Sequence, residues 1–329
     1  MLNPGYFPFR RHARAWIRRA IRRGERFDVA HQLAPVSLRY PSPLADTGIP
    51  YVIGPVGGSL SSPPAFAAEE GGAPWFTGLR RWDVARLRFD PALRHSFSRA
   101  GAVIGIADYV RDLLAEVPIR RFVSMSDVGI ESLPVPAVPS DRTTAVRFLF
   151  VGRLIRTKGL RDAIRALAHL PGGAATLDVV GEGHDRAECE LLVRTLGLGE
   201  QVRFHGHVAH TQVAVHYRNS DVFLFPSYRE AGGIVVVEAM SYGLPLIVAD
   251  RGGPAASVDD NCGIRVEPRD PDQYARDLAA AMSTLAADPA LRAALGAAAR
   301  ARTAELSLWD RRVEAIELLY SEVISADVT

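Results

Sequence analysis

The sequence predicts an α/β protein built as two doubly wound parallel-sheet domains. Three observations lead there. Apolar runs of strand length, such as Ala102–Ile106 and Asp221–Phe225, lead into turn signals and then helical stretches. Strands buried on both faces read as continuous apolar runs of this kind, which is the mark of a parallel sheet. A chain of 329 residues with 48% apolar content can fill two cores. Pro134–Arg142, with three prolines and polar ends, separates two series of strands and reads as a linker. The expected boundaries are a domain over 1–142, a second over 143–307, and a terminal helix over 308–329.

Composition narrows the function classes. A net charge of +2 calls for no nucleic-acid partner. Cys189 and Cys262 fall in different expected units and suggest a reducing cytosol rather than a disulfide framework. No run of 18 apolar residues exists, and the start, MLNPGYFPFRRH, lacks the apolar stretch of a signal peptide. The expectation is a cytoplasmic protein, soluble or peripheral on the inner membrane face.

In chain order, residues 8–24 read as a helix with a loose apolar stripe of Phe9, Trp16, Ile17, Ala20 and Ile21. Arginine fills its other faces: eight between Arg10 and Arg26 against one acid, Glu25. Such a surface either meets anionic lipid head groups, at about 1 kcal/mol per Arg, or is a solvated face covering a sheet. The strand Phe27–Gln32 contains His31. The strand Tyr51–Ile53 runs into Gly54-Pro55-Val56-Gly57-Gly58, a loop that permits close approach to the backbone. Residues 59–74, rich in Ser, Pro, Gly and Ala, read as a mobile lid or a disordered loop. A helix over 75–98, kinked or divided at Pro91, precedes the strand Ala102–Ile106, a helix Ala107–Glu116 and a strand Arg121–Met125.

The second series is more regular. Strand Val146–Val151 runs into Gly152-Arg153-Leu154, and Lys158-Gly159-Leu160 opens a helix. Fixed cations at a strand end suit an anionic group such as a phosphate, whose charge they stabilise without proton transfer. Arg offers a planar fork and Lys a compact point charge. Strand Ala175–Val180 gives Gly181-Glu182-Gly183, but Arg186 stands where a dinucleotide fingerprint needs its third glycine, so NAD is not expected. His205, His207 and His210 lack an acidic or Cys partner to complete a metal set, so no metal is expected.

Residues 226–253 organise the rest. Strand Asp221–Phe225 leads to a short helix, about Gly233–Tyr242, and then to strand Pro245–Ala249. Ala231-Gly232-Gly233 opens that helix, and a helix N-terminus is an anion site. On one unbroken helix Glu230 and Glu238 would lie roughly 12 Å apart. The glycine turn instead folds Glu230 back over the helix mouth, where carboxylates and bare N–H groups suit a polyol and an anion.

Glu230-x7-Glu238 followed by Ala-Met-x-x-Gly-x-Pro, together with Gly152-Arg153-Leu154 and Lys158-Gly159, resembles the signature of retaining glycosyltransferases of family 4. That resemblance covers nearly all of 27–324. It implies the GT-B fold, two Rossmann-like domains facing a cleft that closes on substrate, with the terminal helix over 308–329 crossing back onto the first domain. It implies a metal-independent, cofactor-free transfer of a sugar from a nucleotide sugar to a sugar, lipid-linked or small-molecule acceptor, with retention. Arg153, Lys158 and Glu230 would carry catalysis. Gly152, Gly232, Gly233, Ile234, Glu238 and Val208 would bind the donor, Val208 through a Phe-x-Gly-x-Val loop beside the base. Acceptor-side residues would be His31, Gly57 and Gly58. The family's acceptor-side His usually follows the next strand, where this chain has Gly-Pro-Val-Gly-Gly; the other reading of His31 is a hydrogen-bonded strand-end residue.

The resemblance also leaves a gap. The family's first domain carries about six or seven strands, and only four candidates occur before 142. The N-terminal domain is therefore expected to be incomplete: the arginine-rich helix covers the open sheet edge, a second chain completes it, or the chain is a truncated product. The alternative function is a catalytically inert donor-binding subunit of a partner glycosyltransferase. A nucleotide-sugar epimerase is a third reading, against which the Glu-x7-Glu spacing weighs.

Overall fold

The computed structural model describes residues 4–70, 80–138, 141–143 and 145–328. The chain forms two compact units. One comprises Met1–Ser61, Gly72–Asp127 and Val313–Thr329; the other comprises Ser62–Gly71 and Val128–Arg312.

In the first unit, α1 (Tyr6–Arg22) precedes β1 (Ala30–Gln32) and β2 (Tyr51–Val56). Then come α2 (Arg80–Phe89), α3 (Pro91–Arg99), β3 (Ala102–Gly105), α4 (Tyr109–Leu113) and β4 (Phe122–Ser124). The sheet is parallel in the order β1-β2-β3-β4. Val52, Ala102 and Ile104 are buried in it, packed with Leu319 and Val323 of the terminal helix. Pro91 divides the expected helix rather than kinking it. Asp90 caps α3, accepting from the N–H groups of Ala92 (3.0 Å) and Leu93 (3.3 Å), and Pro91 occupies the first turn, where no N–H partner is lost. Residues 75–79 of that expectation lie outside the described residues.

One face of the arginine-rich helix is laid on a loop of its own unit rather than on a sheet. Tyr6, Arg10, Arg14 and Arg18 are four apart and therefore share a face. They grip the loop over 41–46: the Tyr6 hydroxyl donates to Pro41 O (3.0 Å), Arg10 to Ser42 O (3.3 Å) and Arg18 to Asp46 O (3.3 Å). Arg14 pairs with the Asp46 carboxylate at 2.5 Å. The expected apolar stripe is split: Ala20 is buried, whereas Phe9 and Trp16 keep 56% and 53% of their surface.

The second unit opens with β5 (Val146–Val151), a 3-10 turn (Arg156–Lys158) and α5 (Leu160–Leu167). It continues through β6 (Ala175–Val180), α6 (Arg186–Thr195), β7 (Val202–Gly206), α7 (His210–Asn219) and β8 (Val222–Phe225). Next are α8 (Ile234–Ser241), β9 (Leu246–Ala249), α9 (Gly252–Ser257) and β10 (Gly263–Val266). Helices α10 (Pro271–Ala287), α11 (Pro289–Leu306) and α12 (Trp309–Val328) close the chain. The parallel sheet runs β10-β9-β8-β5-β6-β7. Winding starts at β5, moves out to β7, and restarts at β8 in the opposite direction. The gap between the carboxyl ends of β5 and β8 is thus a topological switch point, where such sheets bind ligands. Every residue of β8 and β9 is buried, as the continuous apolar runs require.

The border between units falls at Asp127/Val128, ahead of the proline-rich stretch, because backbone pairing lays Ile130 and Ala137 onto the second unit. Ile130 N–H donates to Ser307 O (2.9 Å), Trp309 N–H to Ile130 O (3.1 Å) and Ala137 N–H to Tyr242 O (2.8 Å). The first turn of α12 stays there too, since the Arg312 guanidinium donates to Val128 O at 2.5 Å. The loop after Gly58 is also more ordered than a lid: Pro64–Phe66 forms a 3-10 turn, and Phe66 is completely buried in the second core.

Candidate functional site

Two loops meet at the switch point. After β5, Gly159 takes φ +78°, and a Cβ there would overlap the Pro226 carbonyl after β8, so only glycine fits. The Ser227 hydroxyl donates to Thr157 O at 3.2 Å. Lys158 is thereby delivered to the loop over 226–230, where its ammonium contacts the Glu230 carboxylate and lies 5.3 Å from the Phe225 ring centroid. Burial first, then the guanidinium groups of Arg153 and Arg229, push the Lys158 ammonium down to about 8. The touching Glu230 carboxylate favours the charged form and works against that push. Arg153 is exposed and makes no side-chain hydrogen bond among the described residues.

Glu230 does fold back over the helix mouth. Its carbonyl accepts from Gly253 N–H (3.0 Å), and Gly233, at φ +94°, turns the chain into α8 directly beside the Glu230 side chain. Ile234, the first residue of α8, is 37% exposed. Further along that helix, Glu238 Oε2 accepts from the Tyr217 hydroxyl at 2.9 Å. Tyr217 is buried and stacks on Tyr242 with centroids 5.1 Å apart. Burial pushes the Glu238 carboxyl upward, and the Tyr217 hydroxyl partly offsets it.

The structure thus brings Lys158, Glu230, Gly232, Gly233 and Ile234 to one place, with the charge of Arg153 acting on it. Gly152 joins the sheet end, its N–H donating to Val180 O at 3.0 Å. Val208 follows the edge strand β7 and packs, half-buried, on the second core. His205 pairs with the Asp178 carboxylate at 2.6 Å and lies against the His216 ring, centroids 4.5 Å apart.

In the first unit, both ring nitrogens of His31 are engaged. Nδ1 is 2.6 Å from the Tyr320 hydroxyl and Nε2 is 2.8 Å from Gly54 O. A carbonyl only accepts, so Nε2 carries the proton and Nδ1 accepts from Tyr320. No lone pair is left for a general base in this arrangement, and the ring is hydrogen-bonded through both nitrogens at the end of β1. Gly57 is buried against Ile106, and Gly58 N–H donates to the Tyr109 hydroxyl at 3.1 Å.

Sequence reasoning passed over Tyr217 and Arg229. Tyr217 sits in α7 with no motif around it. Arg229 adjoins Glu230, and that adjacency of opposite charges was its only signal. It donates to Ser62 Oγ (3.1 Å) and pairs with Glu70 (3.2 Å).

Known proteins share this framework. The chain is similar to the D-inositol 3-phosphate glycosyltransferase of Streptomyces avermitilis, 36% identical over 190 residues that cover 54% of this chain and 40% of that protein. It spans about half the length of the curated relatives it matches. Among solved structures, sucrose-phosphate synthase from Thermosynechococcus elongatus aligns with TM-score 0.63 and 22% identity, over 96% of this chain and 78% of that one. Anabaena HepE, solved in complex with UDP, aligns with TM-score 0.63 and 20% identity, over 85% of this chain and 74% of that one. These likenesses show the fold, that of GT-B glycosyltransferases. Residues 137–302, just over half of the chain, match the family described as glycosyl transferases group 1, and the chain belongs to that family.

Proposed function

We propose that the protein is a retaining, metal-independent glycosyltransferase of family 4 that moves a sugar from a nucleotide sugar to an acceptor hydroxyl. The observation that carries this reading is the contact of Lys158 with Glu230 at the switch point, beneath a helix mouth opened by Gly232 and Gly233. The pair holds each partner ready for a different part of one donor. When a nucleoside diphosphate sugar enters, its phosphates take over the ammonium, with Arg153 as the second cation, and Glu230 is released to accept from sugar hydroxyls. Glu238, steadied by Tyr217, accepts from the ribose. The bond from the anomeric carbon to the phosphate oxygen breaks, and the acceptor oxygen bonds to that carbon on the same face. The acceptor proton passes to the departing phosphate. Among the relatives, the UDP held by HepE supports a nucleoside diphosphate as the ligand class.

Donor turnover by the wild type against Arg153→Ala and Glu230→Ala tests the assignment. Large losses are expected in both variants, and equal rates in all three proteins would overturn it.

The remaining partners of this reading lie on the first unit. The outward face of α1 presents Phe9 and Trp16 among Arg11, Arg19, Arg22 and Arg23, a match for an anionic membrane surface in the cytoplasm. Among the described residues no helix is long and apolar enough to cross a membrane. Sedimentation with phosphatidylglycerol vesicles but not phosphatidylcholine vesicles is the expected result, and it should be lost in Phe9→Ser/Trp16→Ser. A second chain covering the β1 edge is the other partner of this reading; light scattering that returns a monomer at working concentration would remove it.

A further inference from the structure

We propose that the segment Ser62–Glu70 is a strap built into the donor side, which positions the loop carrying Glu230 through Phe66, Glu69 and Glu70. This rests on the donor-site reading above. In sequence the segment interrupts the first unit, lying between Ser61 and Gly72, yet it folds as part of the second. Its anchor is Phe66. That ring is completely buried, with its centroid 4.4 Å from Tyr228 and 6.0 Å from Tyr274. The Arg156 guanidinium sits 5.5 Å from the centroids of both Phe66 and Tyr228.

Arg156 shows how far the strap is woven in. It is only 3% exposed and holds Asp162 with two hydrogen bonds of 2.6 and 2.9 Å. Its second charged partner is Glu69, at 2.8 Å, and Glu69 also meets Arg165 at 3.1 Å. The third guanidinium of the group, Arg229, pairs with Glu70. Three cations therefore face three carboxylates, Asp162, Glu69 and Glu70, and the strap supplies two of them. A buried charge that loses its partner costs far more than an exposed one, so the strap is a component of this unit rather than a loose covering.

The loop it holds is the functional one. Tyr228 and Arg229, the two residues before Glu230, are both gripped by the strap, one through Phe66 and one through Glu70. Arg229 also bears on Lys158. With Glu70 in place the guanidinium is turned toward a carboxylate of its own. Without it, Arg229 is free to compete with Lys158 for Glu230, and the backbone that aims Glu230 loses its brace. Glu70 and Phe66 are thus positioning residues, acting through Arg229 and Tyr228 rather than on the ligand.

Hydrogen exchange on the whole chain tests the strap without reference to activity. In Glu70→Ala, amides over 226–233 are expected to exchange about tenfold faster while α10 and α11 stay at wild-type rates. Glu70→Asp should restore most of the protection. Phe66→Leu is the second variant, chosen because it keeps the pocket filled, and should show a smaller rise in the same stretch. Titration with UDP is the functional arm: Glu70→Ala should weaken binding about tenfold, and Glu70→Asp should restore most of it. Unchanged exchange over 226–233 in both variants would overturn the strap. A wild type that binds no UDP would instead count against the donor-site reading, leaving the exchange result to decide this one.

Discussion

At the carboxyl ends of β5 and β8, charge is left partly in reach of solvent: Lys158 and Glu230 keep 12% and 19% of their side-chain exposure. At the ends of β1 and β2, in the other unit, the polar groups are engaged with one another. His31 bridges Gly54 and Tyr320, and Gly58 is held by Tyr109. The two sheets are both parallel, yet only the second reverses its winding among the described strands. A reversal parts the loops at adjacent strand ends and leaves room for a ligand. Where winding runs in one direction no such gap is forced, and His31 of β1 is instead closed in by Gly54 of β2 and Tyr320 of α12. The difference teaches that polar residues at a strand end acquire a role from the topology beneath them.

That contrast can be broken most directly at Lys158 and Glu230. Lys158→Ala and Glu230→Ala are each expected to lower kcat/KM for the donor by about two to three orders of magnitude, the scale for removing one pre-organised charge partner. His31→Ala should leave kcat/KM within about tenfold. A loss at His31 as large as at Lys158 would erase the difference between the two units.

The second test is pH. The ammonium is the form that binds an anion, and burial with two nearby guanidinium groups brings it down to about 8. UDP affinity is therefore expected to fall as pH rises through about 8, approaching tenfold per unit until the proton affinity of the complex is reached. In Lys158→Met the slope should vanish. A wild-type affinity flat up to pH 10 would place the ammonium at its ordinary value.

Smaller effects sharpen the picture. Tyr217→Phe removes a hydrogen bond to the Glu238 carboxylate, worth about 1.5–3 kcal/mol at most, and should raise the donor KM several-fold with little change in kcat. His31→Ala should appear in thermal melts instead, costing about 1–3 kcal/mol because Gly54 O and the Tyr320 hydroxyl lose their partner. Tyr320→Phe should reproduce part of that loss without touching turnover.

Much of this was legible from short-range patterns. The alternation of strands and helices, the cation pair after β5, and the glycine turn that folds Glu230 over α8 all follow from residues within a few positions of each other. Short-range reasoning failed at β10 and α9: Gly263–Val266 is an edge strand interrupted by the exposed Arg265, so no continuous apolar run marks it. It also misjudged residues 59–70, the described part of the stretch over 59–74. Their small, proline-rich composition signals a loose loop, but one aromatic ring in a distant pocket and two carboxylates opposite buried arginines outweigh composition.

The amino-acid sequence by itself determined the kind of fold and the identity of the groups that meet at the switch point, because periodicity and spacing are local properties of a chain. Only the tertiary structure decided which groups those side chains face: Tyr217 for Glu238, Glu70 for Arg229, Tyr320 for His31, and the loop over 41–46 for one face of α1. Each of those pairings joins residues more than 20 positions apart. Their proximity follows from how the elements pack, and no local signal encodes it.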